Sequence, residues 1–497
     1  MKKTTRLFTI IAFLTAGTLL AQENVFLDRD FWKGNPDLSV IKTKIEAGND
    51  ATVFNENGFD AVVYALLENA DSEVINYLLT IDGNTVDKRT HDSRIYLHWA
   101  AYAGNTKIME TLLEKGSSLT AKGSHGNTPL TFAAVTGQMD TAVYDLFEKN
   151  GVNLAEDKNE NGANALLLIA PYAKDYGIID YFTGKGLSLN SKDDDGNGLF
   201  QYAAQGGQLT VLKKLKANGA PYKSIGNGGN AIIFASQGTH GHQNSLKTYQ
   251  YLESLGIKAS TLNANGRNPL HTIAYNSQDR AVFNHFIDKG IKVDHQDDDG
   301  NSPFMNAANS NTLKVVKFLL PYVKNVNAQN KEGRSALTMA VNRNSPEIVD
   351  FLLQNGADIS IKDKDENTLA YYLLNTYNID KTEVFEAKLK LLQNKGLSMT
   401  EIQHDKNTLY HLAAEENDLN LIKRLESFEI DVNAKNSEGL TALHLAAMKA
   451  KDDQMMKYLI SQGANPKIKT DFEESAYDLA SENELLQKQN VELNFLD

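Results

Sequence analysis

The sequence contains no cysteine. That excludes disulfides, thiol catalysis, cysteine metal sites and lipid attachment through a cysteine. It also lacks a basic excess: 50 Lys and Arg stand against 63 Asp and Glu, for a formal net charge of −13. A general nucleic-acid binder needs a basic face, so this balance argues against one, and against adhesion to anionic membrane surfaces. It favours a partner with basic patches, through steering more than through affinity. A membrane-spanning run is missing as well. The apolar run from Leu7 to Leu20 has fourteen residues, too few to cross a bilayer as a stable anchor.

What is present at the start is the pattern of an export signal. Lys2, Lys3 and Arg6 precede the apolar run, and Leu19-Leu20-Ala21 precede Gln22. Residues 1–21 therefore read as a signal peptide cleaved after Ala21, and the chain is expected to be exported, to the periplasm ahead of the extracellular space. The Leu-Leu-Ala ending followed by Gln is similar to signal peptides of Bacteroidetes-type bacteria.

The rest of the chain repeats one unit. Gly439 to Lys469 reads as helix, tight turn, helix and extended arm: Leu443, Leu445, Ala446 and Ala447 give the first helix an apolar stripe, and Met455, Met456, Leu459 and Ile460 the second. Gly463 follows the last apolar position, where a positive φ stops a helix without a Cβ clash. Such a pair cannot bury both faces alone and needs like neighbours. They are found at anchors Gly58, Ser93, Gly126, Gly162, Gly196, Gly228, Gly266, Gly300, Gly333, Glu366, Lys406, Gly439 and Glu473, spaced 32 to 40 residues apart. Asp37 to Asp50 reads as a second helix without a first, with Phe31 and Trp32 closing the end of the core. Between the helices Gly104, Gly137 and Gly207, and in other copies Asn69, Asn311, Asn344 and Asn417, are expected to take a left-handed conformation. Ser345 is read as a helix cap before Pro346. Residues 488 to 497 are expected to fray.

GNTPLTFAA at Gly126, GRNPLHTIA at Gly266, GNSPFMNAA at Gly300, GRSALTMAV at Gly333 and GLTALHLAA at Gly439 resemble the ankyrin-repeat family. The resemblance covers roughly residues 35 to 490. It implies an all-α repeat solenoid with short β-hairpin turns, of about twelve helix-turn-helix repeats with half-repeat caps. The expected organisation is a signal peptide at 1–21, an N-terminal capping half-repeat at 22–57, the solenoid at 58–472 with longer copies at 228–265 and 366–405, and a C-terminal cap and tail at 473–497.

Other constellations give no catalytic, cofactor or metal site. His98, His271, His411 and His444 occupy the family's histidine slot a repeat or more apart, where the resemblance implies a local structural bond. Asp193-Asp194-Asp195-Gly196 and Asp297-Asp298-Asp299-Gly300 miss the calcium-loop ligands at positions 1 and 12, and read as hairpin tips. His240-Gly241-His242 lacks a third metal ligand. Gly226, Gly228 and Gly229 lack the Lys-Ser/Thr of a phosphate loop. Trp99 falls on an inward-packing slot.

The resemblance implies protein binding on the concave face made by first helices and hairpin tips. The variable slots (two before each anchor, one after, and nine and ten further on) hold Arg94, Tyr102, His125, Tyr172, Arg267, Tyr275, Arg334 and Arg343 among the larger side chains. Tyr and Arg often dominate binding energy. The expectation is a non-enzymatic, monomeric interaction scaffold of the bacterial envelope with a protein partner, no cofactor and no nucleic acid. A structural spacer, an effector acting on other cells, and an enzyme with a site near the 228–266 insertion are the alternatives.

Overall fold

The computed structural model describes residues 24–497; the signal peptide expected at 1–21 lies outside them. The chain divides into two compact units, one ending at Asp194 and one spanning Asp195–Asp497. Both are stacks of antiparallel helix pairs, so the chain is an all-α repeat solenoid. First helices pack on first helices and second on second. No helix among the described residues is long and apolar enough to cross a membrane.

The first unit opens on Val25–Leu27 and Arg29–Lys33, followed by Leu38–Glu46. The short Arg29–Lys33 helix stands where a first helix would, which corrects the expectation of a second helix alone. Phe26 and Trp32 are fully buried, and the Trp32 indole N–H donates to the Phe26 carbonyl at 3.0 Å. The apolar end of the stack is thereby closed by aromatic rings. The pairs Ala61–Leu67 with Ser72–Leu78, Tyr96–Tyr102 with Thr106–Glu114, and Pro129–Val135 with Thr141–Lys149 follow, and Ala165–Ile169 with Gly177–Gly184 ends the unit.

The second unit runs from Leu199–Gly206 with Leu209–Ala217 to Ala476–Glu482 with Glu484–Lys488. Its tail does not fray. Leu486 and Leu496 are both buried, because a last turn at Asn494–Leu496 folds back to cover the apolar face. The two longer copies differ in their inter-helix turns. In one, His240 and Gly241 form the tip of an exposed hairpin closed by mutual Thr239 and His242 backbone bonds of 3.0 and 2.9 Å. In the other, Ile379–Lys381 leads into Thr382–Gln393, at 12 residues a long second helix.

The anchor residues have positive φ, including the non-glycines Ser93, Glu366, Lys406 and Glu473. The copy at Gly228 is the exception: its left-handed residue is Gly229, φ 97°, within a hairpin closed by Gly226 and Gly229. Successive tips are joined by single backbone bonds. In the second unit the amides of Asp298, Lys331 and Lys364 donate to the carbonyls of Asn265, Asp299 and Glu332 at 2.9, 2.9 and 3.0 Å. In the first, Ser124 and Asp194 donate to Asp92 and Asn161 at 2.7 and 2.9 Å. This ladder sets the repeat register.

The histidine slot supplies a second inter-repeat bond. His271 Nδ1 accepts the Asn268 backbone N–H at 3.1 Å, so Nε2 carries the proton and donates to the Asn301 carbonyl of the next tip at 3.1 Å. His98 and His411 repeat the arrangement, and His444 differs only in donating to the Ile468 carbonyl, ahead of the next tip. Burial pushes His98 and His271 down to about 4, so they stay neutral with both nitrogens occupied.

Between the helices, Gly104, Gly137, Gly207, Asn69 and Asn417 are left-handed, but Asn311 and Asn344 are not: their φ values are −94° and −110°. The reason is a different job. The Asn311 carboxamide N–H₂ donates to the Ala274 and Ser277 carbonyls at 2.9 and 2.8 Å, and Asn344 to those of Ala308 and Asn311, both at 2.9 Å. Asn244 and Asn483 do likewise. Each clamps the orphan carbonyls at the end of the preceding first helix. Ser345 is the N-cap of Pro346–Gln354, but its side chain accepts no backbone bond there. Asn311→Ala is expected to destabilise by about 2 kcal/mol, since two buried carbonyls lose their donors. Asn311→Gly should cost as much in urea unfolding; a turn residue would instead tolerate glycine.

Candidate functional site

The hairpin ladder fixes where the predicted contact residues sit. Those just after an anchor lie at the base of a tip, and those nine or ten further on lie in the last turn of a first helix or, for Tyr172, in the 3-10 turn that follows it. Of these residues, Arg334 and Arg343 line one groove.

In the first unit Arg94 is largely taken into the packing. Its guanidinium lies 3.0 Å from the Asp92 carboxylate and stacks over the Phe132 and Trp99 rings, 4.5 and 5.1 Å from their centroids. Burial lowers its pKa despite the carboxylate. Trp99 is buried, as its inward slot requires, and donates its indole N–H to Thr90 Oγ1 at 2.8 Å. His125 is exposed, with Nε2 3.4 Å from Asp92. Tyr102 is exposed at the end of Tyr96–Tyr102, its ring 6.1 Å from Phe132. Tyr172 is half-buried because its ring covers Gly137, where a Cβ would lie 2.9 Å from the ring; burial raises its hydroxyl pKa. Tyr102 and Tyr172 are thus the contact candidates that present ring surface here, while Arg94 acts as a brace.

In the second unit Arg267 is braced in the same way, its Nε 2.9 Å from Asp297 and its other arm 3.5 Å from Asp299. Asp297 is buried, and its second oxygen accepts the Asp299 and Asn301 amides at 3.1 and 2.8 Å. The aspartate run therefore builds a turn. Tyr275 is exposed, its hydroxyl accepting from Asn309 at 3.4 Å.

Arg334 and Arg343 come together on one groove of 260 Å³, shared with Asn306, Asn309, Asn342 and Tyr372. Arg334 Nε donates to the Tyr372 hydroxyl at 3.0 Å, and that hydroxyl donates to buried Asp363. A second concavity of 450 Å³ lies beside the 366–405 turn, with Leu374, Leu412 and Leu421 at its base and Tyr377, Glu415 and Asp418 around it.

The slot rule missed three kinds of residue. Asn309 and Asn342 occupy the slot nine past their anchors but were passed over for larger side chains. Tyr372 sits on the slot six past its anchor, which holds Trp99, Phe132 and Met339 but also Thr272 and Asn306 in other copies, and its hydroxyl meets Arg334 in the groove. Phe132 belongs to the repeat motif, and its ring underlies the Arg94 guanidinium.

A family model for ankyrin repeats matches residues 33–123, 61–155, 270–363 and 371–470, together more than half of the chain. The chain is 24% identical over 348 residues to alpha-latroinsectotoxin-Lt1a of Latrodectus tredecimguttatus, covering 61% of this chain and 22% of the relative. It is 22% identical over 179 residues to a transient receptor potential cation channel subfamily A member 1 homologue of Caenorhabditis elegans, covering 36% and 14%. It is 28% identical over 138 residues to palmitoyltransferase AKR1 of Lachancea kluyveri, covering 25% and 19%. The chain spans less than a quarter of the length of each of these relatives.

Proposed function

Because the chain belongs to the ankyrin-repeat family, a family whose repeats serve protein–protein interaction, we propose that it is a non-enzymatic interaction scaffold that binds a protein partner on its first-helix face. The observation that carries this is the exposure of Tyr102 and Tyr275 at the same position of their repeats, beside arginines fixed at the tips. Aromatic rings backed by braced guanidinium groups are the composition of interface hot spots. The relatives named above are by name a toxin, a channel and a transferase, and each shares only a fraction of its length with this chain. Their common element is the repeat stretch, so none of those activities transfers. The proposed location is the bacterial envelope, resting on the signal-peptide pattern of residues 1–21.

The test is affinity capture from an envelope extract, read by mass spectrometry. One partner should be enriched, and the triple substitution Tyr172→Ala, Arg267→Ala and Tyr275→Ala should weaken its binding about tenfold or more. Undiminished binding would remove this face as the site. No enrichment over a surface-shuffled control would favour a spacer, and fractionation of the producing cell reports the location.

A further inference from the structure

We propose that the groove holding Arg334 and Arg343 receives an extended acidic segment of the partner, with a carboxylate seated on Arg343. This rests on the interaction reading above and names the chemistry of one of its sites.

The chain carries 63 acidic residues, and four of the eight described arginines are committed to them: Arg29 to Glu68, Arg94 to Asp92, Arg267 to Asp297 and Arg424 to Glu386. Arg343 has neither an ion pair nor a hydrogen bond among the described residues, although it is exposed at the end of Ala336–Arg343. Arg334 donates only to a phenol. No carboxylate lines their groove. In an acidic protein this is a local inversion of sign, and two guanidinium groups on one concavity are complementary to a carboxylate, which they can bind bidentately.

The other groups on the groove suit a peptide main chain. Asn306 spends its N–H₂ on the His271 carbonyl at 2.9 Å, which leaves its oxygen free to accept a peptide N–H. Asn342 makes no hydrogen bond with its carboxamide among the described residues, and so offers both a donor and an acceptor. These amides come from the first helices of two successive repeats, so they form a row across the face rather than a point.

Size and charge exclude the other ligand classes. At 260 Å³ the groove falls below the roughly 300–1,000 Å³ of small-molecule sites, and holds one or two side chains. Two cations fall short of the roughly 6–10 phosphate contacts of a nucleic-acid binder, and the surrounding acidic surface repels a polyanion.

The experiment exposes the full-length chain to an array of immobilised random dodecamer peptides. The strongest acidic binder is then titrated in solution by fluorescence anisotropy. The bound set should be enriched in Asp and Glu. Arg343→Ala, or replacement of the peptide's carboxylates by amides, should weaken binding about tenfold, and Arg343→Lys should recover part of it. Because the Arg343 side chain makes no ion pair or hydrogen bond among the described residues, the Ala variant should melt like the parent. A bound set rich in Lys and Arg, or insensitive to Arg343, overturns the groove assignment while the scaffold reading stands. An empty array also overturns it, and the capture experiment then decides the broader reading by itself.

Discussion

Replacing Gly333 by alanine is expected to lower stability by about 3 kcal/mol or more. Gly333 has φ 73°, a conformation that costs an L-residue about 1–2 kcal/mol. An added Cβ would stand 2.5 Å from the Lys364 nitrogen and 2.7 Å from Asp363 Cα. Those are backbone atoms and cannot rotate away. Relief requires the two tips to separate, which breaks the Lys364 N–H bond to the Glu332 carbonyl (3.0 Å), worth about 1 kcal/mol more. Glu366→Gly is the converse. Glu366 already holds φ 65°, so removing its Cβ should stabilise by about 1 kcal/mol. Urea unfolding of the two variants should move in opposite directions. A Gly333→Ala midpoint indistinguishable from the parent would show that the tip ladder does not set the register.

The same geometry explains which parts of the fold were legible. Where one tip abuts the next, as at Gly300 and Gly333, only glycine fits, so the period stands out in the sequence. Where the contact is arranged otherwise, the anchor can change. After Glu366 the next tip is held by the Asn367 side chain, whose oxygen accepts the His404 amide at 3.0 Å. At Ser93 and Lys406 the preceding aspartates are also left-handed, φ 53° in both. The shift from Gly228 to Gly229 was not legible, because adjacent glycines satisfy the same pattern. Asn311 and Asn344 were misread for a related reason. Asparagine tolerates a left-handed turn, and nothing local reveals that its carboxamide is needed one repeat away.

The site was legible by slot and not by environment. The slots place Arg94, Arg267 and Arg334 at tips and Arg343 at the end of a first helix, yet only structure separates a brace from a free guanidinium. For Arg267 that difference rests on a carboxylate thirty residues away, Asp297 (2.9 Å), and for Arg94 on the Phe132 ring beside the local Asp92. The Tyr372 hydroxyl entered the groove by the same kind of long-range contact.

Lys388→Met is expected to reverse its effect on stability with pH. In the second unit the asparagine clamp recurs at Asn244, Asn311, Asn344 and Asn483, but the rebuilt turn of the 366–405 copy has none. There the Lys388 side chain, 1% exposed, donates its ammonium to the Val341 carbonyl at 2.8 Å. Val341 holds the same place in its helix as Ala274 and Ala308, the carbonyls taken by Asn311 and Asn344. Burial lowers the lysine from 10.5 to about 8, which corresponds to a penalty of about 3 kcal/mol for keeping it charged. The sign follows from proton counting. Below about pH 8 both states hold the proton and the penalty is present in full. Between about 8 and 10.5 the unfolded chain binds more protons, so this group's contribution to stability rises with pH until the penalty is gone. Methionine removes the charge and also the carbonyl's donor, worth about 1 kcal/mol. The variant should therefore be about 2 kcal/mol more stable than the parent at pH 7 and about 1 kcal/mol less stable above pH 10. Paired urea titrations at the two pH values give the difference free of the tyrosines that titrate in both chains. A gap of constant sign and size would mean that the ammonium is not desolvated where it meets Val341, and that the clamp there is an ordinary surface contact.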